Sequence, residues 1–190
     1  MASPHDHDHN HDHGQQPDPT CAVAHGQEET AAVAAHGPEK VLVAIFATHV
    51  ARYLLRYAAD AGYHAVLIEP DPVRAEAARA FGAELADSLD AFAPGVADVV
   101  VTDHHREELG VQLRDALAAK ARWVGIMGNP RHEGPHLKAL ADLGVPAEEI
   151  SLVHRPIGLN IGSRRPAEIA IATLAGLIAD RNGKPGGFAF

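Results

Sequence analysis

Cysteine, aromatic residues and long hydrophobic runs are all scarce in this chain of 190 residues. The single cysteine, Cys21, excludes a disulfide-stabilised scaffold and a zinc cluster built on cysteine. Aromatic residues make up 5% of the chain and hydrophobic residues 46%, so a core would consist mainly of aliphatic side chains and alanine. The longest apolar run, from Ile169 to Ala179, is too short to cross a bilayer. A signal-peptide pattern is also missing, and we expect a cytoplasmic location and no membrane partner.

Basic residues are absent from the first 39 positions, which carry seven acidic residues. The other 18 acidic residues and all 16 Lys and Arg residues lie in residues 40–190, so that part of the chain is almost neutral. A nearly neutral body produces no broad basic field. We therefore expect no nucleic-acid partner.

The beginning of the chain has low complexity. Histidine alternates with Asp or Asn, and its five positions are the candidate metal ligands: His5, His7, His9, His11 and His13. Such a stretch cannot bury apolar area, so we predict that residues 1–38 form a disordered His/Asp-rich tail and linker. Imidazole is a good ligand for divalent Zn, Ni and Cu. Two interpretations stay open, namely a solubilising tail that binds metal incidentally and a physiological store of nickel or zinc.

Residues 39–182 alternate between short apolar runs and amphipathic stretches. The apolar runs predict strands at 41–46, 65–68, 83–86, 97–101 and 123–127. Helices are predicted near 50–61, 72–81, 136–143 and 166–181, with a further helix that carries Leu109, Leu113 and Leu117 and has Thr102 or Asp103 as its N-cap. Continuous apolar strands that alternate with helices are typical of parallel sheets buried on both faces. We predict an α/β fold, a Rossmann-like open parallel sheet with helices on both faces, followed by a flexible C-terminus at 183–190.

Ligands of such sheets bind beyond the carboxyl ends of the strands. The polar segments that the predicted topology places there are 47–49, Glu69, 102–105 and 128–131. Two adjacent histidines cannot both face one point, so His49 together with His104 or His105 would form at most a partial metal site. Topology alone makes these segments the candidate site.

Four segments resemble the C-terminal Rossmann domain of the XdhC/CoxI family in their order and spacing. The most specific, at 154–170, contains Pro-Ile-Gly-Leu-Asn-Ile-Gly where the family has Pro-Ile-Gly-Leu-Asp-Ile-Gly; the others are 48–50, 101–105 and 123–128. The resemblance covers roughly residues 40–182. It implies an accessory protein that holds molybdenum cofactor, aids its sulfuration and delivers it to a molybdenum hydroxylase such as xanthine dehydrogenase. A cysteine desulfurase would be a further partner.

The chain departs from the family pattern in two places. The family usually has a separate N-terminal domain with cysteine motifs, whereas here the tail precedes the first strand, so the resemblance does not extend to the steps assigned to that domain. The first turn reads Phe46-Ala47-Thr48-His49 instead of Gly-Ala-Gly-His. In a dinucleotide fingerprint those glycines make room for the pyrophosphate. We expect the Phe46 and Thr48 side chains to crowd that space and predict weak or absent NAD(P) binding in the usual mode, although Glu69 stands where an acidic residue binds the ribose of NAD.

The candidate cofactor-binding residues lie at strand ends and in the loop before the last helix. They are Thr48, His49, Glu69, Asp103, His105, Arg131, Gly158, Asn160, Gly162, Arg164 and Arg165. Arg164 and Arg165 precede the exposed amides of a helix that begins at Pro166, which favours an anion such as the phosphate of molybdenum cofactor. Solvated arginines partly paired with Glu168 are the alternative. The glycines at 158 and 162 indicate unusual backbone angles or a close approach by a ligand or a neighbouring strand.

The serines and Cys21 lack the sequence context of a catalytic nucleophile, so we predict no catalytic residue. The leading hypothesis is therefore an accessory protein that binds molybdenum cofactor, its client enzyme, or both. The alternatives are an NAD(P)-linked oxidoreductase with a divergent fingerprint and a divalent-metal-binding protein that acts through its tail. The sequence leaves the client enzyme and the oligomeric state open, a homodimer included.

Overall fold

The computed structural model describes residues 40–128, 131 and 133–187, which form an α/β fold. The strands are β1 (Val41–Ile45), β2 (His64–Ile68), β3 (Glu84–Leu85), β4 (Ala97–Val101), β5 (Trp123–Ile126) and β6 (Val153–His154). The helices are α1 (His49–Asp60), α2 (Pro72–Ala80), α3 (Leu109–Ala118), α4 (Pro135–Asp142), α5 (Ala147–Ile150) and α6 (Pro166–Arg181), and a 3-10 turn covers Leu89–Ala91. The predicted fold class is confirmed.

The six strands form one parallel sheet in the order β3-β2-β1-β4-β5-β6. The winding reverses between β1 and β4, which is where open α/β sheets bind their ligands. Ile45 lies beside Ile68 on one side and beside Val101 on the other, so β1, β2 and β4 end at the same level. The residues that follow these three strands therefore meet at one edge of the sheet, which we call the carboxyl edge.

The strands are apolar throughout because helices cover both faces of the sheet. Every residue of β1 and β4 is buried, and alternate side chains enter two separate cores. One core packs β1 and β4 against α1 and α6, with Leu42, Leu54 and Leu177 at its centre. The other packs them against α3 and α4, with Val43 and Leu113 among its members. The sheet is thereby held rigidly beneath its polar carboxyl edge.

Three local details differ from the sequence-based expectation. The strand β6 and the short helix α5 were not predicted, because two and four residues carry no measurable periodicity. The prediction that Thr102 or Asp103 caps the third helix is wrong, since α3 begins at Leu109 and Glu108 occupies its N-cap position. The Thr102 hydroxyl instead bonds back to the end of β1, which uses its capping capacity elsewhere.

The opposite, amino edge of the sheet is closed by an ion-pair network around Asp98. This carboxylate is fully buried and accepts hydrogen bonds from Nε of Arg122, at 2.5 Å, and from Nε of Arg181, at 2.7 Å. Arg181 also donates to the Val96 carbonyl, while Arg122 bonds Asp180. The end of α6 and the start of β5 are thus fastened to β4. No helix in the described part of the chain is long and apolar enough to cross a membrane.

Candidate functional site

The turn after β1 is closed by a buried carboxylate. Glu69, the first residue after β2, has a fully buried side chain whose Oε2 accepts a hydrogen bond of 2.6 Å from the Ala47 amide. Its Oε1 accepts from the Asp71 amide at 3.0 Å, and Arg106 donates to both oxygens, at 3.2 and 3.4 Å. The amide that faces the pyrophosphate in a dinucleotide turn is therefore already bonded within the protein. Glu69 was predicted as a cofactor-binding residue, but this geometry leaves its carboxylate no exposed surface for a ribose.

Arg106 completes this arrangement from the segment after β4. Its guanidinium donates to Glu108 at 2.9 Å as well as to Glu69, and it lies 4.7 Å from the centroid of the Phe46 ring. Hydrogen bonding to Glu108, opposed by burial and reinforced by Glu69, raises the pKa of Arg106. Sequence reasoning missed this residue, since an arginine five residues beyond a strand gives no local sign of a partner 37 positions away.

Phe46 does not project beyond the sheet, so the prediction that its side chain crowds the ligand space is wrong. Its backbone has a φ of 75°, in the left-handed region, and the ring is fully buried in the core beside α3. A non-glycine residue in this conformation costs roughly 1–2 kcal/mol. Burial of the whole aromatic ring offsets that cost. Weak NAD(P) binding stays a prediction. The reason for it is no longer the Phe46 side chain but the Glu69 carboxylate, which occupies the Ala47 amide.

Thr48 and Thr102 join β1 to β4 at the switch point. The Thr48 hydroxyl accepts from the Ala51 amide at 3.0 Å, which makes it the N-cap of α1, and it donates to the Thr102 hydroxyl at 3.0 Å. Thr102 in turn donates to the Phe46 carbonyl at 2.8 Å. His49 is the exposed first residue of α1 and lines a groove of about 390 Å³ with Arg52 and Arg74. Thr48 thus has a structural role that does not depend on a ligand.

The two histidines after β4 lie at the carboxyl edge in contact with each other. The ring centroids of His104 and His105 are 4.0 Å apart, and Asp103 accepts a hydrogen bond from the His105 amide at 2.9 Å. His104 is half-buried, and burial together with His105 lowers its pKa. In residues 40–128, 131 and 133–187, no three His, Cys, Asp or Glu side chains converge as a metal site would require. The tail histidines at positions 5–13 lie outside the described residues, so metal binding there stays a prediction.

Arg155, directly after β6, reaches across the end of β5. A Cβ atom added to Gly128 would lie 2.6 Å from its Nε, and one added to Gly134 would lie 3.2 Å from its Cδ. His136, near the start of α4, is 5% exposed, and its Nδ1 atom is buried without a hydrogen-bond partner. Burial and the nearby Arg155 charge lower the pKa of His136. Together with His104, these residues form a group of one guanidinium and two imidazoles, which we call the β5 cluster.

Sequence reasoning did not select Arg155 or His136 as site residues. Their signal was indirect, because Gly128 and Gly134 flank the loop after β5 and leave the space that Arg155 fills. Arg131, which was selected, is exposed in that loop. A ligand role for Arg131 stays a prediction.

The predicted anion site at the start of α6 contains the chain's own carboxylate. Glu168 Oε2 accepts hydrogen bonds from the backbone amides of Arg164, at 3.1 Å, and Arg165, at 3.2 Å. These bonds lower the pKa of Glu168. Arg165 occupies the N-cap position with no capping bond from its side chain, as expected for a poor cap. The pairing with Glu168 that we considered therefore forms through the backbone.

Of the two glycines in the 158–162 loop, Gly158 serves the packing of α6. Gly158 has a φ of 84°, and a Cβ atom there would lie 3.0 Å from the Thr173 amide nitrogen. The close approach that the sequence indicated is therefore made by a helix. Gly162 has a φ of 69° with open space around it, and Asn160 is exposed. A ligand role for these three residues stays a prediction.

Comparisons with known proteins agree with this fold. The profile of a family described as the XdhC Rossmann domain matches residues 42–177. The uncharacterized protein YqeB of Escherichia coli strain K12 is 30% identical over 166 residues, which cover 82% of this chain and 30% of YqeB. The chain therefore spans about 30% of the length of that curated relative. A crystal structure of a Bacillus halodurans protein described as a xanthine dehydrogenase aligns with a TM-score of 0.61 and 22% identity, over 77% of this chain and 46% of that one. At this identity the likeness shows a shared fold.

Proposed function

This chain belongs to the family of XdhC Rossmann domains, and we propose on that basis that it is an accessory protein for a molybdenum hydroxylase of the xanthine dehydrogenase type. The family match confirms the resemblance that the four sequence segments indicated. The name of the Bacillus halodurans neighbour supports the same class of client enzyme. The proposal includes a cytoplasmic location, where such a client would mature.

The proposed ligand is molybdenum cofactor, held at the β5 cluster rather than above the first turn. The cofactor carries a phosphate, and the cluster supplies a guanidinium and two imidazoles near the ends of β4, β5 and β6. Arginine is well suited to bind phosphate because its planar donors match the phosphate oxygens. The donor set therefore fits the anionic end of the cofactor.

The single observation that carries this assignment is the closure of the first turn by Glu69. Its carboxylate occupies the hydrogen-bonding position that a dinucleotide would use, which favours the half of the carboxyl edge at β4–β6 as the place where the cofactor binds. This feature also counts against the alternative of an NAD(P)-linked oxidoreductase. Isothermal titration calorimetry with NADH checks that point, and a micromolar dissociation constant would restore the oxidoreductase hypothesis.

Co-purification of pterin tests the cofactor assignment. We propose to purify the chain from a host that makes molybdenum cofactor and to measure bound pterin by its fluorescence after oxidation. The wild-type chain should carry pterin, and Arg155→Gln should carry on the order of tenfold less, as expected when a charged hydrogen bond to a ligand is lost. Arg114→Gln is the matched control, because Arg114 is exposed on α3 and pairs with its neighbour Asp115.

The wild-type result separates the two parts of the proposal. Pterin on both variants at the wild-type level would remove the β5 cluster as the binding site. Absence of pterin from the wild-type chain, together with unchanged xanthine dehydrogenase activity in a host that lacks this protein, would refute the accessory function itself.

A further inference from the structure

A groove beside α1 carries three exposed arginines. Two cavities form it, one of about 650 Å³ and one of about 390 Å³, and they share Arg52 and Phe81 in their walls. Arg56 lines the larger cavity and Arg74 lines the smaller one, so the three guanidinium groups are distributed along the groove with Arg52 in the middle. We call this feature the arginine groove.

Asp71 interacts electrostatically with Arg74, but the three arginines of the groove form no direct ion pair in the described part of the protein. No carboxylate there lies within ion-pair distance of Arg52, Arg56 or Arg74. The acidic residue in the wall, Glu84, is bonded to His64 at 2.9 Å. By contrast, five other arginines of the body each have an ion-pair partner, namely Arg79, Arg106, Arg114, Arg122 and Arg181.

The spacing of Arg52 and Arg56 destabilises α1 when no anion is bound. Arg52 and Arg56 are one turn apart on α1, and like charges at this separation destabilise a helix. The Arg52 guanidinium lies 5.4 Å from the centroid of the Phe81 ring, which holds it over the groove between the two cavities. An anionic partner would remove the repulsion between Arg52 and Arg56, so its binding would also stabilise α1.

We propose that the arginine groove binds an acidic, extended segment of a partner protein. Arg52 and Arg56 are separated by about 6 Å along the axis of α1, which is close to the spacing of alternate residues in an extended chain. Carboxylates at alternate positions of an extended segment therefore match the separation of Arg52 and Arg56, and Arg74 lines the cavity on the other side of Arg52. Tyr53 and Phe81 in the walls provide surface for apolar side chains of the same segment. Residues 40–190 carry a net charge close to zero, which makes a nucleic acid a poor partner.

This inference does not depend on the proposed cofactor site. The residues of the arginine groove lie on α1, on α2, in the turn between β1 and α1 and in the segments that lead into β2 and β3, whereas His104, His136 and Arg155 follow β4, β5 and β6. A variant of one site leaves the other intact. The two proposals can therefore fail separately.

Fluorescence anisotropy with a labelled hexaglutamate peptide and the full chain at low salt tests the proposal. We expect measurable binding by the wild-type chain and a loss on the order of tenfold or more in the Arg52→Glu/Arg56→Glu variant. The Arg114→Glu/Lys138→Glu variant has the same change in net charge at two exposed positions on α3 and α4. It should weaken binding less than about twofold, since it alters the long-range field but not the groove.

Four outcomes would overturn the proposal. These are no binding of the peptide by the wild-type chain, equal weakening in both double variants, complete displacement of the peptide by equimolar inorganic phosphate, and tighter binding of a decauridine RNA than of the peptide. Circular dichroism establishes that each variant is folded. If the charge-reversal variant fails to fold, Arg52→Gln/Arg56→Gln should still bind the peptide several-fold more weakly, and unchanged binding by it would also refute the proposal.

Discussion

Glu69 occupies within the protein the position that a ligand anion occupies in a dinucleotide-binding turn. Its carboxylate accepts a hydrogen bond from the Ala47 amide, and the Arg106 guanidinium neutralises its charge. We expect Glu69→Gln to lower the free energy of unfolding by roughly 2–4 kcal/mol, because the amide leaves the buried Arg106 charge without its buried partner. Equilibrium unfolding in urea measures this change.

Glu107→Gln is the matched control for that substitution. Glu107 is exposed in the same segment as Arg106, and its replacement should change the free energy of unfolding by less than about 0.5 kcal/mol. Equal stability of Glu69→Gln and the wild-type chain would show that the turn is held by other contacts.

A second residue-scale prediction concerns acid sensitivity. Burial and Arg155 lower the pKa of His136, so the unfolded chain binds the proton at higher pH than the folded chain does. The stability that neutral, buried His136 contributes is fully present above the pKa of a histidine in the unfolded chain, about 6.5, and it is lost as the pH falls below that value. We expect the free energy of unfolding to fall less in His136→Gln than in the wild-type chain when the pH drops from about 7.5 to 5. Burial also lowers the pKa of His104, so part of the decrease in the free energy of unfolding should remain in the His136→Gln variant. Identical losses in both chains would contradict the prediction.

At the scale of elements, Gly158 allows the loop before α6 to approach that helix closely. Both Gly158→Ala and Gly162→Ala place a side chain in the left-handed region, at a cost of roughly 1–2 kcal/mol. Gly158→Ala also pushes a Cβ atom against the Thr173 amide and the Ala172 carbonyl carbon, whereas Gly162 faces open space. We expect Gly158→Ala to be less stable than Gly162→Ala by about 1–3 kcal/mol. Thermal unfolding followed by circular dichroism compares them, and equal midpoints would exclude close helix packing as the reason for Gly158.

The elements that sequence reasoning located are those whose burial leaves a regular pattern. The strand Ala97–Val101 was predicted to the residue because both of its faces are buried and its apolar run is continuous. The predicted start of α3 was wrong. Thr102 and Asp103 are good capping residues by type, but the Thr102 hydroxyl donates to the Phe46 carbonyl after β1. A single sequence shows a residue's capacity to form a bond and not which partner it meets.

At the scale of the molecule, the sequence predicts which edge of the sheet carries the polar residues but not which side chains meet there to form a site. Parallel topology placed Thr48, Glu69 and Asp103 at one edge correctly, since each follows a predicted strand. The direction in which each side chain points depends on distant partners such as Arg106. The β5 cluster was missed for that reason, because His136 joins it through the fold of a loop and not through a position after a strand.

The Asp98 network at the amino edge gives a prediction for the whole fold. Asp98 lies near the beginning of β4, and its two arginine partners come from the segment before β5 and from the last turn of α6. Asp98→Asn leaves two partly buried guanidinium groups without their shared carboxylate, so we expect a loss of roughly 3–5 kcal/mol in the free energy of unfolding. Asp180→Asn removes the half-exposed partner of Arg122 and should cost about 1 kcal/mol or less. Urea unfolding measures both variants. If the two substitutions cost the same, α6 is held to the sheet by its apolar contacts with α1, and the buried ion pairs do not set the stability of the fold.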